Sequence, residues 1–84
     1  MIVVDVWSNE EQRGSISWDG EQFLTKPDDP LLRSILQDPV WIEIGGEIVE
    51  VYAGEDPIVF ILGLWKHYKS QGLRCSEARE EPDE

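Results

Sequence analysis

The sequence predicts a small α+β domain: a mostly antiparallel sheet with helices packed on one face, in the order β-β-β-α-β-β-α. Three observations predict it. Two dipeptides suited to tight hairpins, Asp19-Gly20 and Gly45-Gly46, each lie between runs with strand periodicity. Two Asp-Pro steps, Asp29-Pro30 and Asp56-Pro57, each open a segment with helical spacing of apolar residues. Finally, 40% of the 84 residues are apolar, four of them Trp, which is enough for a core and far from the composition of a disordered acidic chain.

The Val-rich run Ile2 to Trp7 reads as the first strand. Ser8 to Arg13 is polar and reads as a loop. Ser15 to Trp18 alternates polar and apolar residues, and Asp19-Gly20 would turn the chain into a partner strand, Glu21 to Thr25. A two-residue turn there pairs Trp18 with Glu21 and Ile16 with Phe23. Ile16, Trp18 and Phe23 then share one face.

Asp29 caps a short helix whose first residue, Pro30, sits where no N–H is needed. Leu31, Leu32, Ile35 and Leu36 mark its buried side, and Pro39 ends it after about two turns. Gly45-Gly46 then closes a second hairpin, Val40 to Tyr52. Its register pairs Ile44 with Glu47, Glu43 with Ile48, Ile42 with Val49, Trp41 with Glu50 and Val40 with Val51. One face holds Val40, Ile42, Ile44, Val49 and Val51 and is expected to be core. The other holds Trp41, Glu43, Ile48, Glu50 and Tyr52. A slip of one residue would mix the two sets, so the pattern specifies the register.

The last helix runs from Pro57 to about Gln71, with Gly72 as a left-handed stop. Ile58, Phe60, Ile61, Leu62, Leu64, Trp65 and Tyr68 cover about half its circumference. A stripe that wide implies that the helix packs on a sheet and touches something else as well. Residues 1–75 are expected to form the single domain, and residues 76–84, polar and charged, an acidic flexible tail.

Charge excludes some functions. Eighteen acids against seven bases give a net charge of −11. Direct nucleic-acid binding requires clustered Lys and Arg, which the chain lacks, and an anionic membrane surface is equally disfavoured. The longest apolar run, Pro57 to Trp65, is too short to span a bilayer, and Met1 to Trp7 has no basic region of a signal peptide. One cysteine excludes an internal disulfide. The expected setting is cytoplasmic. The charge is also uneven. Residues 28–56 carry eight acids and one base, whereas residues 57–84 carry five acids and four bases. A core this small leaves dimerisation open as a source of extra stability.

Residues that could carry chemistry are few. Cys75, His67 and Asp5 would be the components of a small enzyme, but no family signature or third orienting group accompanies Cys75 and His67. Asp5 interrupts the first strand on a face shared with Val3 and Trp7, where burial would demand a partner. No zinc-type spacing or calcium loop is present, so neither metal nor cofactor is expected, and the chain does not read as an enzyme. The second hairpin offers a surface instead. Trp41, Ile48 and Tyr52 among Glu43, Glu47 and Glu50 make an aromatic anchor in an acidic rim. The sequence therefore reads as an acidic protein-interaction module of the inhibitor, antitoxin or adaptor type, facing a larger basic protein. Two other readings stand beside it: a nucleic-acid mimic whose carboxylates imitate phosphates, and the enzyme built on Cys75, His67 or Asp5.

Overall fold

The computed structural model describes residues 1–68 and 72–82. It is an α+β domain with seven strands and two helices among the described residues. β1 (Ile2–Ser8), β2 (Glu11–Trp18) and β3 (Phe23–Lys26) form an antiparallel meander. α1 (Pro30–Ile35) follows, then the hairpin β4 (Val40–Ile44) and β5 (Glu47–Val51), then α2 (Pro57–His67). Two short strands, β6 (Leu73–Cys75) and β7 (Arg79–Glu80), complete the chain. The main sheet has the order β3-β2-β1-β6, with β7 also paired to β1, and β4 and β5 make a second, two-stranded sheet.

Both helix starts form as the sequence implies. The Asp29 carboxylate accepts the Leu31 amide at 2.8 Å, and the Asp56 carboxylate accepts the Val59 amide at 3.3 Å. α1 packs Leu32 and Ile35 into the core, together with Val4, Val6, Ile16, Phe60, Ile61 and Leu64. Direct pairing puts Ile2 opposite Trp18 and Val4 opposite Ile16, so one face of the meander supplies this layer. An aromatic column carries it to α2. Trp18 and Phe23 stand 4.8 Å apart between ring centroids, and Phe23 meets Phe60 edge-on at 5.8 Å.

Four features differ from the sequence expectation. The Ser8 to Arg13 loop is instead a tight hairpin, in which Ser8 pairs with Glu11 and Asn9 and Glu10 both have positive φ, 50° and 68°. Those signs belong to a type I′ turn, formed here without the glycine that usually marks it.

The next hairpin keeps its faces but shifts its register by two residues: Trp18 pairs with Phe23, and Ile16 with Thr25. The Asp19 carboxylate causes the shift. It accepts the amides of Glu21 and Gln22 at 2.7 and 2.8 Å, which widens the connection. These amides also hold the Asp19 carboxyl below its usual range, that of Gln22 most strongly.

α2 ends at His67, before the expected Gln71, which lies outside the described residues. Tyr68 turns extended, and its hydroxyl donates to Asp38 at 3.0 Å. Gly72 does take a positive φ of 79°, but as the entry to β6.

The segment from Ser76 to Glu81, expected as tail, lies along β1. The Asp5 amide donates to Ser76 Oγ, the Ser76 amide to the Asp5 carbonyl, and the Glu81 amide to the Met1 carbonyl. Short-range periodicity could not show this, because the partner strand is about 75 residues away in sequence.

Candidate functional site

The second hairpin forms in the predicted register, from Val40–Val51 at its base to Ile44–Glu47 at its tip. It is therefore the element that the alternation in the sequence specifies best. Its position is less expected. It joins no other strand among the described residues, and only its base is in the core. Val40 is fully buried and Val51 nearly so, Ile42 is half-buried, and Ile44 and Val49 are exposed. The predicted core face is thus core for half its length. Contact with α2 explains where the burial stops. Gly63, with no side chain, lets the hairpin close onto the helix, and a Cβ there would stand 3.2 Å from Ile42 Cδ1 and 3.5 Å from Val40 Cγ2. Beyond Ile42 the same face is exposed at Ile44 and Val49, and the hairpin projects.

The opposite face carries the predicted site. Trp41 is 47% exposed, Ile48 is 70% exposed, and Tyr52 is also exposed. Glu43 pairs directly with Ile48, and Glu50 with Trp41, so each apolar side chain has a carboxylate across the strand. The Tyr52 hydroxyl donates to Glu50 Oε2 at 2.9 Å. That bond fixes the carboxylate beside the Tyr52 ring, and Glu50 pushes the Tyr52 hydroxyl above the ordinary tyrosine range, by the hydrogen bond first and its charge second. Glu47 stands apart from this set. Paired with Ile44, it belongs to the other face, near the tip. The surface is therefore two-sided at its tip, with Ile44, Glu47 and Val49 behind Trp41, Glu43, Ile48 and Glu50.

Pairing also determines which backbone groups point outward. A two-residue turn makes Ile44–Glu47 a hydrogen-bonded pair, and such pairs alternate along the ladder. The outward N–H and C=O groups are then those of Trp41 and Glu43 on β4, and of Ile48 and Glu50 on β5.

Of the three residues of a possible enzyme, Asp5 and Cys75 lie on opposite faces of the sheet. Cys75 pairs with Val6 and faces the core, 3% exposed. Burial pushes its thiol up to about 11, which keeps it protonated and unreactive at neutral pH. Asp5, next to Val6 in β1, faces the other side of the sheet. There Arg79 Nη1 donates to Asp5 Oδ2 at 2.7 Å, and this is the partner the strand carboxylate required. His67 is half-buried in the last turn of α2, on the side of Gly63. Among the described residues no group of three or more His, Cys, Asp or Glu is placed to hold a metal.

A second exposed apolar surface went unassigned in the sequence. Ile58, Leu62 and Trp65 line the outer side of α2, away from buried Phe60, Ile61, Gly63 and Leu64. The width of the helical stripe was its signal. No helix among the described residues is long and apolar enough to cross a membrane.

Comparison with protein families, with curated proteins and with solved structures finds no match.

Proposed function

We propose that the protein is a small acidic interaction module, and that its projecting β4–β5 hairpin docks on a larger protein with a basic surface. The observation that supports this most is the combination of Trp41 and Ile48, both well exposed, with Glu43 and Glu50 directly across the strand. A large apolar anchor in a charged rim supplies both contact area and orientation. Net charge agrees, because residues 28–56 carry eight acids and a single base. The outward backbone groups of a two-stranded sheet give a partner strand something to pair with.

The test compares wild type with the variant Trp41→Ala/Glu43→Lys/Glu50→Lys as immobilised bait, at low and high salt. The module reading expects a basic protein that wild type retains and the folded variant does not. A partner that Trp41→Ala alone still retains, but that salt releases, would favour the nucleic-acid mimic, where charge matters and the ring does not.

A further inference from the structure

We infer that the outer face of α2 is where two copies of this chain meet, with the two helices antiparallel. This face is distinct from the hairpin surface and shares no residue with it. Ile58, Leu62 and Trp65 fall at helical spacing within an arc of about 60° on the side of α2 turned away from the core. They are 51%, 54% and 47% exposed. Beside Leu62 lies a groove of about 340 Å³, lined by the apolar Ile2 and Ala78 and by the charged pair Arg79 and Glu80.

Charge selects the occupant. In a chain of net charge −11, no Asp or Glu occurs between Pro57 and His67. Two copies approaching through this helix bring no carboxylate against another along its length. The hairpin, with Glu43, Glu47 and Glu50, would repel its own copy.

Charge also selects the direction. Exposed Glu55 and Asp56 stand just before the helix, and Lys66 and His67 are in its last turn. Lys66 stays at the edge of the stripe, 5.1 Å from the Trp65 ring centroid. An antiparallel pair centred on Leu62 sets Leu62 against Leu62 and Ile58 against Trp65. Lys66 then lies level with the first turn of the other copy's helix, next to the point where Glu55 and Asp56 precede it. The helix dipoles oppose each other in the same arrangement. A parallel pair would instead set Lys66 against Lys66 and Glu55 against Glu55.

Sedimentation over a concentration series tests this on the full chain, with circular dichroism to confirm that each variant is folded. Wild type is expected to pass from monomer to dimer as concentration rises. Leu62→Glu should be monomeric over the same range. Lys66→Glu and Glu55→Lys should each weaken the dimer several-fold, and the two together should restore it. Leu62→Cys should cross-link to its own copy under mild oxidation. Trp41→Ala should dimerise like wild type, which separates this surface from the hairpin. A wild type that stays monomeric throughout would overturn the inference, as would a dimer that survives Leu62→Glu.

Discussion

Gly63 of α2 lies directly under Ile42 of β4, so close that a Cβ on the glycine would stand 3.2 Å from Ile42 Cδ1. This contact is where the hairpin is seated, and it separates the buried base of the hairpin from the exposed tip. Alanine at Gly63 gains helix propensity of about 1 kcal/mol, and the flexible end of Ile42 can yield a few tenths of an ångström. Gly63→Ala is therefore expected to leave stability within about 1 kcal/mol of wild type. Gly63→Leu has no room and should destabilise by about 1–3 kcal/mol in urea unfolding. Equal stability for the two would show that the hairpin does not rest on the helix.

The β1–β2 turn holds Glu10 at a φ of 68°, a left-handed conformation that disfavours a side chain. Glu10→Gly should stabilise the protein by about 0.5–1 kcal/mol, because Asn-Gly is the preferred type I′ pair. A neutral or destabilising result in thermal unfolding would contradict this turn.

Gly14 presents the opposite case. It has a φ of 151°, and a Cβ there would collide with the Lys26 carbonyl and stand 2.8 Å from Leu32 Cδ1. Backbone cannot move aside as a side-chain tip can. Gly14→Ala is expected to cost on the order of 2–4 kcal/mol, enough to unfold much of a marginal domain.

Cys75 makes stability depend on pH in the alkaline range. Its thiol titrates near 9.0 when exposed and near 11 in the fold, where burial favours the neutral form. The folded state therefore holds the proton longer. The associated stability is complete below pH 9 and is lost as pH rises toward 11. The loss relative to Cys75→Ala should be on the order of 2–3 kcal/mol. Iodoacetamide at pH 8 should label the native thiol far more slowly than the unfolded one. Rapid labelling of the folded protein would place Cys75 elsewhere than in the core.

How much of this was legible in the sequence depended on the range of the signal. Asp29-Pro30, Asp56-Pro57 and Gly45-Gly46 act within a few residues, and each formed as expected. Asn9-Glu10 escaped because its turn uses no glycine. The Trp18–Phe23 register escaped because one carboxylate, Asp19, widened the loop. The pairing of Arg79 with Val3 and its bond to Asp5 escaped for another reason: they join the two ends of the chain, and no local pattern encodes that. For the candidate site, alternation identified the face with Trp41, Glu43, Ile48 and Glu50. It could not show that Ile44 and Val49 would also be exposed, since that depends on tertiary packing against the hairpin and not on its own alternation.

The most direct measurement for the hairpin surface is a matched capture from cells of the native organism, with wild type and Trp41→Ala/Glu43→Lys/Glu50→Lys as baits, read by mass spectrometry. All three positions are exposed, so the variant should unfold within about 1 kcal/mol of wild type. The predicted result is a basic protein retained by wild type, released in part by high salt, and absent from the variant. The same protein retained equally by the folded variant would contradict the assignment of this hairpin as the docking surface.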